Sequence, residues 1–312
     1  MSMLSRLAEN LYWYGRYLER AEGLARLINV NANLNLDLPR GIAPGWEPLV
    51  RITGAGELYA ELHDETDERS VSRFLLSEAQ NPGSLKNCLE IARENLRSAR
   101  DLMPREVWEQ MNALYLAGEE TLSGTLSKRR RHEFLHQLIL DCQQIAGTLL
   151  GSMSQDDAYD FILIGRYLER ADMTTRILDV RADDLLPDDL GDLPPFDAIQ
   201  WMSVLKSLTG YQMYRRHVRT RISGPDVLAF LLRDPEFPRA VRFGLGALET
   251  LLQGLPGDDD QALRRVAHMV RRVNELDLQD IQGERLGELM DQLQLDLADI
   301  HEAIRQTWFP KG

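Results

Sequence analysis

GRYLERA stands at residues 15–21 and again at residues 165–171. The likeness extends well beyond seven letters. LYWYGRYLERAEGLARLINV (11–30) aligns with FILIGRYLERADMTTRILDV (161–180), pairing Arg26 with Arg176 and Glu22 with Asp172. A tryptophan-led segment ending in Thr-Gly follows each copy, Trp46 to Gly54 and Trp201 to Gly210. FLLSEAQNPGS (74–84) then aligns with FLLRDPEFPRA (230–240), and QLILDCQQI (137–145) with QLQLDLADI (292–300). The offsets run 150, 155–156, 156 and 155 in chain order. Self-similarity on that scale points to two copies of one helical unit, 1–150 and 151–312, not to a short-period solenoid. A helix cannot bury its apolar stripe alone, so the expected fold is an all-α, internally duplicated helical bundle. The halves would pack around a pseudo-twofold axis, with roughly ten to fourteen helices at typical helix lengths.

Composition agrees. The chain has 312 residues, 44% of them hydrophobic, with only 13 prolines and 22 glycines to interrupt long Leu/Ala/Arg/Glu segments. A net charge of −13 argues against a nucleic-acid partner, which needs a basic face. Cys88 and Cys142 lie in apolar helical patterns without metal-ligand spacing, as in a reducing compartment. The N-terminus lacks the apolar run of a signal peptide, and nothing approaches ~18 consecutive apolar residues. The expectation is a soluble cytoplasmic protein with no membrane partner. The acidic stretch 181–197 and LPGDDDQ (255–261) are expected as surface connections, and KRRRH (128–132) as a solvated basic turn ahead of a helix.

On a helical wheel Arg16, Glu19, Arg20 and Gly23 fall within an arc of about 100°. The same side carries Tyr12 and Trp13 a turn earlier and Leu27 and Val30 a turn later, and the opposite face is apolar too. A helix that is apolar nearly all round is interior. Its charged island is therefore buried or lines a cavity, and its charges must be paired. Arg16–Glu19 has i,i+3 spacing and Glu22–Arg26 the favourable i,i+4 order. Gly15 and Gly23 cost helix propensity, which suggests a close backbone approach, for instance by the other signature helix.

Two readings of the island follow. In one, a reciprocal Arg–Glu lattice fixes the register of two central helices. In the other, Glu19 and Glu169 act as catalytic bases or orient an amine, and Arg16, Arg20, Arg166 and Arg170 clamp an anion. Asn10 and Asp160 would extend that site upstream, and Glu22, Asp172, Arg26 and Arg176 downstream. A carboxylate-bound metal ranks last, because the Glu-x-x-His pairs such bundles use are missing.

HEFLH (132–136) fits the zinc-protease signature, but no third ligand is evident and the second half keeps only the Glu, in GELMD (287–291). A surface helix is expected there, and no metal is assigned. Arg93, Arg97 and Arg100 are expected on a solvated face, with the cleft as the alternative; Trp46 and Trp201 are expected as core anchors. No P-loop, dinucleotide fingerprint or nucleophile elbow occurs, so no cofactor is implied.

LSRLAENLYWYGRYLERAEGLARLI, GSMSQDDAYDFILIGRYLERADMTTRILDVR and Trp201 followed by FLLRDPEFPRAVRF together resemble the bacterial alpha-E family over nearly the whole chain. The resemblance implies an all-helical partner of circularly permuted ATP-grasp ligase-like and transglutaminase-like proteins. The implied setting is peptide or amide synthesis or modification, with an anionic amino acid or peptide as ligand. It matches the family's glutamates to Glu19 and Glu169 and its arginines to Arg16, Arg20, Arg166 and Arg170. The alternative is a non-catalytic helical scaffold for those partners. Whether the chain is itself an enzyme is left open at this level.

Overall fold

The computed structural model describes residues 5–38, 43–124, 126–183, 194–219, 221–257, 260–278, 281 and 283–309. Among these there are fourteen α-helices, one short 3-10 helix and no strand. The acidic connection expected at 181–197 falls outside the described residues over 184–193, as do 258–259 of the 255–261 loop.

The first signature helix is α1 (Ser5–Asp37). Short helices α2 (Glu47–Ile52), α3 (Gly56–Leu62) and α4 (Glu68–Ser77) follow, then the longer α5 (Leu85–Ser98), α6 (Arg105–Leu122) and α7 (Lys128–Ser152). The second signature helix, α8 (Asp157–Asp183), opens a comparable series. It comprises α9 (Pro194–Ser207), α10 (Tyr211–His217), α11 (Gly224–Arg233), α12 (Val241–Gly254), α13 (Gln261–Glu275) and α14 (Glu284–Trp308). The starts of α4, α5 and α7 follow capping chemistry: the Asp67, Ser84 and Ser127 side chains accept from the backbone N–H three residues on.

The α1–α8 interface is the most extensive among the described helices. On their outer sides α1 packs against α5 and α7, and α8 against α12 and α14; α6 bridges α5 and α7, and α13 bridges α12 and α14. Crossing contacts tie the series together, α2 reaching α8 and α9 reaching α1. Both signature helices are consequently buried on nearly every side, as the wheel required. Leu11, Tyr12, Tyr14, Ala21, Ala25, Leu27 and Ile28 on α1, and Ile164, Leu178 and Ile177 on α8, have at most a trace of exposure. Each buried large apolar side chain of this double-helix spine contributes about 1.5–3 kcal/mol.

Trp46 and Trp201 are buried, as core anchors should be. KRRRH departs from expectation: residues 128–132 form the first turns of α7 and not a turn ahead of it. The Ser127 cap starts the helix there. Arg131 is buried, donating to Ser72 at 2.9 Å and Glu68 at 2.7 Å with its guanidinium over Trp46. No described helix is long and apolar enough to cross a membrane.

Candidate functional site: a buried arginine–glutamate lattice

Two glycines determine how α1 and α8 meet. A Cβ at Gly15 would collide with the backbone carbonyl oxygen of Ile162, and a Cβ at Gly165 with that of Tyr12. Backbone therefore lies against backbone at this crossing, and the charged residues one turn beyond each glycine face the opposite helix. Gly23 plays no such part; a Cβ there meets only the Met173 side chain at 3.7 Å.

The ion pairs are consequently made between helices. The i,i+3 pair expected between Arg16 and Glu19 is not formed. Instead Arg16 Nε donates to Glu169 Oε2 at 2.7 Å, and Arg20 donates to both oxygens of Glu169. Reciprocally, Arg166 Nε donates to Glu19 Oε2 at 2.9 Å, while Arg170 reaches both Glu19 oxygens at 2.9 and 2.8 Å. The close crossing explains the exchange, since it brings forked guanidinium donors within bidentate reach of the facing carboxylate. The i,i+4 pairs do form: Arg26 to Glu22 at 2.7 and 3.0 Å, and Arg176 to Asp172 at 2.9 Å.

Arg239 completes the lattice, and no helical periodicity pointed to it. Its Nη1 donates to Glu19 Oε1 at 2.9 Å and its Nη2 to Glu22 Oε1 at 3.0 Å. It arrives on the segment after α11. There Asp234 Oδ1 accepts from the N–H groups of Glu236 and Phe237, Phe237 stacks on Phe230, and Thr174 donates to the Arg239 carbonyl. The available signal lay in the aligned stretches 74–84 and 230–240, where Gly83 stands in place of Arg239. One deviation from the repeat thus gives Glu19 a third arginine that Glu169 lacks.

Both central carboxylates are out of solvent, Glu19 4% exposed and Glu169 2%. Burial pushes the Glu19 carboxyl up, but Arg170, Arg239 and Arg166 outweigh it and hold it well below the usual carboxylate range. Burial likewise opposes ionisation of Glu169, and Arg16 and Arg20 bring its pKa down to about 2. Arg239, wholly buried and beside Arg170 and Arg26, binds its proton less tightly than an ordinary arginine despite Glu19 and Glu22. Two anions locked in the ionised form, with most of their lone pairs taken by arginine N–H donors, are weak candidates for proton transfer.

The other anticipated residues divide. Asp160 lies by Gly254 at the end of α12, where burial and the neighbouring Asp157 and Asp156 raise its pKa. Asn10 is half-buried, and no hydrogen bond joins it to the lattice. Arg93 pairs with Asn112 and Glu94, Arg97 with Glu94 and Arg100 with Asp101, all local contacts away from Glu19. In HEFLH, Glu133 is bound by Arg129, and no cluster of three metal-ligating side chains occurs among the described residues.

A second polar chain leaves the lattice through Tyr12. Arg16 Nη1 donates to the Tyr12 oxygen at 3.2 Å, and the Tyr12 hydroxyl and His301 Nδ1 share a hydrogen bond at 2.7 Å, with the two rings stacked. Burial first, then the charge of Arg16, lowers the His301 pKa to about 4. The unfolded imidazole titrates near ~6.5, so it takes up a proton in the unfolded chain before it can in the folded one. This contribution to stability is full above about 6.5 and is lost as the pH falls from there toward 4. Urea unfolding of His301→Gln should accordingly show a shallower stability loss across that interval than the unmodified chain. Equal slopes would mean His301 is not held neutral.

Among known proteins, the chain is similar to uncharacterized proteins of Mycobacterium bovis and Mycobacterium tuberculosis, at 25% identity over 327 residues. The match covers 97% of this chain but 36% of the relatives, so the chain spans about a third of the length of the curated relatives it matches. No solved structure matches it. The family model that matches residues 3–309 describes a predicted alpha-helical domain with a conserved ER motif, and the Glu19-Arg20 and Glu169-Arg170 pairs at the centre of the lattice are such steps. The chain belongs to the Alpha-E family.

Proposed function

We propose that this protein is a rigid helical module serving a catalytic unit supplied elsewhere, and that its Arg–Glu lattice is the lock that fixes α1 against α8. The observation that carries this reading is saturation. Glu19 accepts four hydrogen bonds and Glu169 three, every one from an arginine of the lattice. Glu19 thus has all of its lone-pair positions filled and Glu169 all but one, which leaves little for an amine or a water. The relatives add support, since the region similar to this chain forms only 36% of their length and so sits beside other sequence. The resemblance to partners of ATP-grasp ligase-like and transglutaminase-like proteins supplies the class of catalytic unit, in peptide or amide synthesis. We further infer that residues 1–150 and 151–312 arose by duplication around a pseudo-twofold axis, a view supported by the reciprocal glycine contacts and the exchanged salt bridges.

Glu169→Gln separates the lock from a catalytic base. A lock implies a lowered Tm, with partner binding and pathway output preserved at temperatures where the variant is folded. Loss of output at unchanged Tm would restore the catalytic reading and remove this one.

A further inference from the structure

Beside the lattice lies a cavity of about 270 Å³ enclosed by α1, α7 and α8. That volume lies near the lower end of small-ligand pockets, which begin at ~300 Å³. Its walls are mostly apolar, with Leu18, Leu149, Ile162 and Leu163 among them, and its charged lining is Arg166 with Glu19 and Glu22. Arg166 gives only its Nε to Glu19; neither terminal nitrogen has a hydrogen-bond partner among the described residues, and its side chain is 23% exposed.

Charge is out of balance at this end. Glu19 and Glu22 are the anions, while Arg166, Arg170, Arg239 and Arg26 all bind them, so two positive charges are left over in a protein whose overall charge is −13. Buried or half-buried positive charge is costly without a counter-ion.

We propose that this cavity binds a small monocarboxylate with an apolar body, its carboxylate on the two free nitrogens of Arg166 and its chain between α1, α7 and α8. A carboxylate is favoured because the guanidinium fork offers two parallel N–H donors. A cationic group is disfavoured, because the four arginines bound to Glu19 and Glu22 already leave an excess of positive charge at this end. This site shares Arg166 with the lock but does not depend on the partner reading. Two sources share the chemistry: a free short-chain acid, or the C-terminus of an apolar peptide.

Calorimetric titration with hexanoate, N-acetyl-leucine and hexanol tests the proposal. At least one of the two carboxylates should bind in the millimolar range or tighter, and hexanol at least tenfold more weakly. Preference for hexanoate indicates the free acid, preference for N-acetyl-leucine the peptide end. Gly147 lines the mouth, and a Cβ there meets nothing within 4 Å, so Gly147→Phe adds a ring to the opening without disturbing the lattice. It should weaken binding at least tenfold at unchanged Tm. Arg166→Lys should weaken it comparably, with Glu19 still held by Arg170 and Arg239. Failure of both carboxylates to bind at 10 mM by this titration, binding of hexanol as strong as theirs, or undiminished affinity in both variants would overturn the site.

Discussion

Glu19→Ala should destabilise the protein by about 3–5 kcal/mol, the cost of breaking a buried ion pair by removing one partner. Glu19 is the point where Arg166, Arg170 and Arg239 converge, and without it the last two remain buried beside each other. Arg239 retains Glu22, at 3.0 Å, and Arg170 retains the Pro238 carbonyl at 3.3 Å, so the damage is electrostatic and not a loss of every hydrogen bond. Glu169→Ala should cost less, because Arg16 keeps Tyr12 and Arg20 is the more exposed at 28% of its side chain. Against a total stability of ~5–15 kcal/mol the Glu19 loss is large, and it will register in urea unfolding as a lower midpoint at unchanged slope. If Glu19→Ala and Glu169→Ala unfold at the midpoint of the unmodified chain, the lattice holds nothing together.

Gly15→Ala and Gly165→Ala are expected to be comparably severe, about 3 kcal/mol each, at the upper end of overpacking costs. In both cases the atom that a methyl group would strike is a backbone carbonyl oxygen in the middle of a long helix, which cannot swing aside as a side chain can. The helices would have to separate, and the cross-helix salt bridges would lengthen with them. Gly23→Ala is the control. Its new methyl reaches only Met173, a flexible side chain at ordinary contact distance, and alanine improves helix propensity by up to ~1 kcal/mol. Thermal unfolding should therefore rank Gly23→Ala at or above the unmodified chain and the other two far below it. A drop for Gly23→Ala as deep as for Gly15→Ala would mean that the close approach lies elsewhere along α1.

The contrast between these glycines shows where sequence reasoning succeeds and where it stops. Helical class, the central place of α1 and α8, and the gathering of Arg16, Glu19, Arg20, Arg166, Glu169 and Arg170 were legible, because an all-apolar helix with a charged island has few physical solutions. The spacing could not tell Gly15 from Gly23, since both carry the same propensity cost and only the crossing point decides which one is needed. Nor could it tell an i,i+3 pair from a cross-helix pair, because a facing guanidinium competes for the same carboxylate and its position is tertiary information. Arg239 was hidden for a related reason: it lies on a connecting segment, and its only mark in the sequence is its mismatch with Gly83. The cavity left no trace in any pattern, being the space between three helices.

The central claim is that charge pairing between α1 and α8, and not within either helix, holds the core of the molecule in register. A double-mutant cycle in urea on Glu19 with Arg170, set beside one on Glu19 with Arg16, tests it most directly. The account predicts a coupling of about 2–3 kcal/mol for Glu19–Arg170, within the range for residues sharing a buried network, and a far smaller one for Glu19–Arg16 despite their i,i+3 spacing. A Glu19–Arg16 coupling equal to or larger than that of Glu19–Arg170 would contradict it.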